Sequence, residues 1–300
     1  MSHARPLTLT LALVTLPAAA LAQPAAEGGS SWRFQVGGGY LHQFETDVDD
    51  GGTVTVDRAY ANAGVTYAFD RRTAAGLVFS YRFDAFDFGG SGALSGLDPW
   101  SDVQEVRLLA PVRLPVGERL DAFVSPQIAW SAETGAGFGD AFQAGATMGA
   151  TYTVNDRLRL GAGLGVFSEI EDDASFFPLV LIDWRITDSF RLTTTPSISL
   201  TRGPTLNAVW EPSDTWSFTL GGGYESYRFR LEEEDRIGEE RAFPLFAAAT
   251  YEPLDDVTAS LVGGVGFGGE LKLDDSDGRT IAEEDFDPAP FLGFTLRARF

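Results

Sequence analysis

The sequence predicts an all-β fold, a transmembrane antiparallel up-and-down β-barrel of about fourteen strands within a range of about twelve to sixteen. Three observations predict it. Apolar residues recur at every second position through most of the 300-residue chain, the period at which side chains alternate between two faces of a sheet, and helical periodicity is almost absent. Most alternating segments run about 11 residues or more, which matches the 9 to 11 of a tilted membrane strand and exceeds the 5 to 6 common in soluble sheets. Short and long connections strictly take turns, as they do where one barrel end carries clipped turns and the other longer loops. A soluble β-sandwich would share the alternation and bury its apolar face against a second sheet; the strand length argues against it.

The elements follow in order. Arg5 precedes an apolar run from Leu7 to Leu21, broken by Pro17 and closed by Ala20-Leu21-Ala22, the layout of a cleavable secretory signal. The run is shorter than the roughly 20 residues of a membrane anchor helix. Residues 1–22 are therefore set apart, and 23–300 form one barrel domain. Strands are expected over 32–42, 55–69, 74–86, 103–114, 119–131, 140–154, 157–169, 176–186, 189–201, 205–212, 215–231, 243–252, 257–272 and 289–300. Tight turns fall at Asp70 to Thr73, Pro115 to Glu118, Asn155-Asp156, Thr187-Asp188, Pro212 to Asp214 and Pro253 to Asp256, each with Asn, Asp, Pro or Gly in its usual turn role. Longer acidic connections surround Glu45 to Gly52, Phe88 to Ser101, Ala132 to Gly139, Glu171 to Ser175, Glu232 to Arg241 and Asp274 to Pro288, with a shorter link at Arg202-Gly-Pro204.

The outward parity reads Ala61, Ala63, Val65, Tyr67, Phe69 on the second strand and Leu158, Leu160, Ala162, Leu164, Val166 on the seventh, without a charge. Aromatics gather at both strand ends, as the headgroup levels of a bilayer favour. In the last strand Pro290, Leu292, Phe294, Leu296, Ala298 and Phe300 alternate with Gly293, Thr295, Arg297 and Arg299. This segment resembles the closing strand of bacterial outer-membrane β-barrels, porin-like and of an uncharacterised family. The resemblance implies an assembly signal in Phe294, Leu296 and Phe300, export to the outer membrane, and contact with its lipid, lipopolysaccharide and the barrel assembly machinery.

Composition removes other classes. The chain has no cysteine, so neither disulfides nor thiolate metal sites contribute, and its formal charge of -21 opposes a nucleic-acid partner. No resident cofactor is expected.

Function then rests on the interior. Fourteen strands fall between 8-stranded barrels filled by side chains and 16 to 18-stranded porins that hold an aqueous channel. The inward face is read as polar and glycine-rich, and the loop Phe88 to Ser101 is the candidate for folding inward. Arg58, Arg82, Asp84, Glu105, Arg107, Arg159 and Glu225 are candidate lumen or constriction residues, as charged rings set pore selectivity; cross-strand ion pairs that only satisfy a polar interior would use the same residues. Arg33, Arg113, Arg185, Arg191, Arg297 and Arg299 form a basic cluster at the periplasmic end, with Asp121 and Asp183 as the acids nearby. Glu45, Asp47, Asp49, Asp50, then Glu232 to Asp235, then Asp274 to Asp287 form an acidic crown.

Asp275, Asp277 and Glu284 stand at the third, fifth and twelfth positions of a calcium-loop spacing, but Leu273 occupies the first, where a carboxylate belongs; loosely held divalent cations are the bland reading. The mature chain has one histidine, His42, at the outer rim without an adjacent serine and acid motif. These readings make the chain a passive channel or transporter for small polar or charged solutes, with a structural or surface-interaction barrel lacking an open pore as the alternative and an outer-membrane hydrolase as a further one.

Overall fold

The computed structural model describes residues 30–300 apart from 98, 138, 140, 169, 171–173, 196–201 and 233–235. The signal segment, Glu233, Glu234 and Asp235 of the acidic crown, and the outer part of the strand expected over 189–201 lie outside the described residues. The chain forms a closed antiparallel barrel of fourteen strands, three of them interrupted once. They are β1 (Ser31–Val48), β2 (Gly52–Ala68), β3 (Ala74–Gly90), β4 (Asp102–Leu109 and Val112–Pro115), β5 (Leu120–Glu133), β6 (Phe142–Asn155) and β7 (Leu158–Ser168). There follow β8 (Ala174–Arg185), β9 (Phe190–Thr193), β10 (Thr205–Trp210), β11 (Trp216–Gly223 and Glu225–Arg230), β12 (Ile237–Leu254), β13 (Val257–Asp274) and β14 (Thr280–Phe286 and Ala289–Arg299).

Each strand pairs with its sequence neighbour, and β14 closes on β1 from Gln35↔Arg299 to Gln43↔Phe291. Closure joins the two ends of the sheet, as a hydrocarbon surrounding demands. Phe300 adds a last rung, exchanging backbone hydrogen bonds with Phe34 at 2.9 and 3.0 Å. The interruption of β4 falls at Pro111, which has no N–H to give to the ladder.

The lipid-facing parity is as expected. Leu160, Leu164, Met148 and Tyr152 are exposed, as are Phe294, Leu296 and Phe300 on the closing strand. Trp32, Phe69, Trp184, Trp210, Trp216 and Tyr251 ring the turn end, and Tyr40, Phe142, Phe176, Phe243 and Phe267 ring the other. Leu164→Arg on this band is expected to cost about 2–4 kcal/mol in chemical denaturation of the reconstituted barrel.

The turns are tight and locally satisfied. Asp70 Oδ1 accepts the backbone N–H of Arg72 and of Thr73, each at 2.7 Å, which holds its carboxyl below the usual carboxylate range.

Two features differ from the expectation. The strands run further outward, because cross-strand pairing continues above the membrane where water satisfies the outer face. β1 and β2 meet in a three-residue turn at Asp49–Gly51, β12 begins at Ile237, and Thr280–Phe286 is strand, so much of the acidic crown sits on strands instead of loops. The interior is also not uniformly polar. A core of Val54, Val56, Phe86, Leu94, Trp100, Val103, Phe229, Leu271 and Leu273 fills the outer half of the barrel. Below it, Leu41, Phe246, Ala248 and Val262 make a second apolar patch on the inner wall, and Phe167, Phe177 and Leu179 a third. Hydrophobic burial above the membrane must come from inside the barrel, since the outer surface there faces water.

Candidate functional site

The functional question is what occupies the lumen. Among the described residues three segments leave the wall and enter it. The first is the connection after β3: Leu94 is fully buried and Trp100 is 2% exposed, and a short 3₁₀ turn at Ser95–Leu97 lets the chain return. Leu94 N donates to Glu284 Oε1 at 3.1 Å, fixing the segment to the wall. Trp100 packs edge-on against Phe88 and Phe229, both at 5.3 Å between ring centroids. The expected inward loop is therefore present.

The second was not expected. Among the described residues the outer half of β11, Glu225–Arg230, has its antiparallel pairing with β12 alone, and its end forms a parallel bridge between Arg230 and Ala132 of β5. Around the barrel, five strands separate β11 from β5 by one route and seven by the other. The bridge can form only if the β11–β12 hairpin leans across the mouth. Arg230 also donates to the carbonyl of Ile170 at 3.3 Å, and Glu232 N donates to Glu133 Oε2 at 3.0 Å, pinning the tip to the far wall. Both faces of the hairpin are used. Tyr227 and Phe229 enter the apolar core, while Arg228 on the other face bonds Glu239 at 2.7 Å and Arg241 bonds Glu270 at 2.9 Å.

Beneath this cap lies a charged layer. Arg58 stands opposite Asp84 and Arg82 opposite Glu105 in register. Arg107 bonds Glu105 at 2.8 Å, and the Arg82 guanidinium lies 5.9 Å from the Tyr60 ring centroid. The centre of the layer is a residue the sequence reading passed over, Arg202. It is 4% exposed, it bonds Asp84, and its guanidinium stacks 3.5 Å over the Tyr227 ring. β10, which Arg202 precedes, and β3, which carries Asp84, are half a barrel apart, with six strands between them by either route. The Arg202-Gly-Pro204 link therefore dips into the lumen.

Gly203 makes that dip feasible. A Cβ there would run into the Tyr224 carbonyl, at the point where β11 breaks and turns inward. Arg202 N donates to Glu225 Oε1 at 3.0 Å, and Arg58 bonds Glu240, so four arginines and four carboxylates bind link, hairpin and wall together. Gly203→Ala is expected to displace Arg202 and raise protease cleavage at the link severalfold, read on the folded barrel in detergent.

The other candidates separate from this layer. Arg159 pairs in register with Asp183 near the turns and belongs with the basic end. There, Asp183 is taken by Arg191 at 2.7 Å and Asp121 by Arg72 at 2.7 Å, while Arg113 donates to the carbonyl of Arg72 at 3.1 Å. Arg33, Arg297 and Arg299 share the lumenal parity of that end, and Arg185 is exposed at the rim. The three calcium-loop candidates do not converge. Asp275 accepts backbone N–H groups of its own turn, Asp277 lies 3.7 Å from Arg279, and Glu284 is buried inside the barrel. Among the described residues no group of three His, Asp or Glu side chains is placed to hold a metal ion. His42 Nδ1 lies 2.7 Å from Asp57, which Tyr40 also bonds, so the rim carboxylate is held by two neighbours on the outward face.

No protein-family model matches the sequence, and no curated protein does. Solved structures do match in shape. A FadL homologue from Pseudomonas aeruginosa shares 13% identity over 96% of this chain and 94% of its own, with a TM-score of 0.51. An outer-membrane channel from Pseudomonas putida F1 shares 14% identity over 92% and 97%, TM-score 0.48. The toluene transporter TodX of P. putida shares 12% over 95% and 94%, TM-score 0.47. The fold is that of the bacterial outer-membrane β-barrels.

Proposed function

We propose that this chain is an outer-membrane channel for small solutes that rests closed and opens when the β11–β12 hairpin withdraws from the mouth. The observation that carries the reading is the Arg230 to Ala132 bridge, a contact across the lumen made by a hairpin that the wall itself does not need. The arginines at the turn end beneath it, among them Arg113, Arg159 and Arg191, support a wet vestibule on the periplasmic side. A constitutively open pore for polar solutes is the reading this geometry supports least, because an apolar core and a salt-bridged layer lie across the path.

The core equally favours the second reading, a structural barrel without an open pore. Conductance in planar bilayers separates the two. The channel reading expects rare openings from the parent protein and at least tenfold more open time for Phe229→Ala, which removes the ring that joins hairpin to plug. Currents absent from both proteins would leave the structural barrel. Membrane fractionation of the expressing cells tests the location.

A further inference from the structure

Near the turns, Arg33 on β1, Arg113 on β4 and Arg159 on β7 stand three strands apart, about 14–15 Å from one to the next along the wall. Arg113 is nonetheless within electrostatic reach of both the others, so their guanidinium groups lean toward one another across the lumen. All three are partly exposed on an inward parity, which places the water they meet inside the barrel.

The acids beside them are engaged elsewhere. Asp183 accepts from Arg191 with both oxygens, at 2.7 and 2.8 Å, and Asp121 bonds Arg72 at 2.7 Å. Asp70, also in reach of Arg113, accepts backbone N–H groups of its own turn. Arg113 donates to the carbonyls of Arg72 and Arg71 at 3.1 and 3.3 Å, neutral acceptors that fix its direction. Arg159 faces Asp183 in register, yet its Nε is buried with no hydrogen-bond partner among the described residues. A buried donor left unmet costs about 1–3 kcal/mol, which an acceptor entering the lumen would recover. Water can meet one such donor. Three guanidinium groups turned toward one space favour an acceptor of opposite charge, because their planar forks match the paired oxygens of carboxylate and phosphate.

We propose that Arg33, Arg113 and Arg159 form a binding site for small polyanions, solutes that carry two or more carboxylate or phosphate groups, at the turn end of the lumen. One acidic group meets Arg159 while a second reaches Arg113 and Arg33, so a solute with a single acidic group gains only part of the contact. The inference deepens the channel reading: the part of this site in transport rests on that reading, and its binding does not.

The test uses the purified full-length barrel in an uncharged detergent, titrated calorimetrically with citrate, inorganic pyrophosphate, acetate and the dication putrescine. Citrate and pyrophosphate are expected to bind saturably and at least about tenfold more tightly than acetate, the tighter of the two naming the preferred acidic group, and putrescine not to bind. Arg159→Gln should weaken citrate at least about tenfold, and Arg159→Lys, which keeps the charge and loses the fork, should weaken it less. Arg157→Gln is the control for surface charge. Arg157 is exposed at the rim, 2.7 Å from Asp188, and its loss should leave citrate within about twofold. Thermal unfolding of each variant is followed alongside; Arg159→Gln takes no partner from Asp183, whose oxygens Arg191 holds, so the barrel should stay folded. No saturable citrate binding, acetate as tight as citrate, or equal losses in Arg157→Gln and Arg159→Gln each overturns the proposal. Reversal potentials are read in planar bilayers on Phe229→Ala, where chloride is expected to pass in preference to potassium and the added Arg159→Gln to reduce that preference. Citrate binding without currents removes the channel and keeps the site; currents without citrate binding remove the site and keep the channel.

Discussion

Arg202→Ala is expected to lower the unfolding free energy of the barrel by about 3 to 5 kcal/mol, the usual outcome of removing one partner of a buried ion pair, and to raise its open time in planar bilayers. Asp84 is 1% exposed, and the loss of Arg202 removes the guanidinium bonded to it, while Arg58 stands 3.9 Å away and is itself held by Glu240. Tyr227 loses the guanidinium over its ring as well, a contact worth about 2 kcal/mol when desolvated. Both losses fall on the joint between the dipped link and the leaning hairpin. Stability and gating should therefore move together. Arg202→Lys keeps the charge and loses the planar fork, so it should restore part of the stability and little of the closure. Asp84→Asn should weaken the barrel less, and the double variant should cost clearly less than the sum of the two, because the pair acts as a unit. Unchanged stability and unchanged currents in Arg202→Ala would remove the latch from the mechanism.

The wall of this barrel was legible in its sequence, and the contents of the barrel were not. Fourteen strands occur in the order that alternation and turn residues predict, with outer ends that run further and with the one expected over 189–201 described only as Phe190–Thr193, since lipid imposes a strict apolar parity on every crossing strand. The inward parity carries no such rule. Yet a signal was present in β2. Ala61, Ala63, Val65 and Tyr67 are apolar at odd positions, whereas Val54 and Val56 are apolar at even ones, and the change of phase falls at Asp57-Arg58. β3 repeats it, with Leu77, Phe79, Tyr81 and Phe83 giving way to Phe86 and Phe88 beyond Asp84. A phase change at one height on adjacent strands marks the level where the greasy surface moves from outside to inside, which is where the bilayer ends and an internal core begins.

The hairpin left a fainter trace. Tyr227-Arg-Phe-Arg230 has bulky side chains on both parities, which suits a ribbon enclosed on two sides and not a wall strand with lipid or water on one. Arg202 had none, because a single arginine in a short link has no period to read. Its placement depends on Gly203, and a glycine before proline in a connection is ordinary in sequence terms. Contacts between strands half a barrel apart are set by tertiary closure, and local pattern does not encode them.

Cysteines at 132 and 230 provide the sharpest test of the gate. In the double variant Ala132→Cys with Arg230→Cys, oxidation is expected to reduce solute flux at least tenfold and a reductant to restore it. The two positions are partners in a parallel bridge, and strands at about 4.7–4.9 Å lie within the roughly 4.4–6.8 Å that a disulfide spans between Cα atoms. The parent chain has no cysteine, so any crosslink within one chain is the intended one, and non-reducing electrophoresis separates it from crosslinks between copies. Loss of the Arg230 hydrogen bond to Ile170 should loosen the reduced form slightly, which places its flux at or above that of the parent. A bridge that forms readily while flux stays constant would mean solute passes with the hairpin in place, and the route would then have to run beside β11 instead of beneath it. A bridge that forms and stops flux ties opening to one movement, the swing of Glu225–Arg230 away from β5. The break in β11 at Tyr224, where Gly203 presses on the backbone, is the hinge about which that swing would turn.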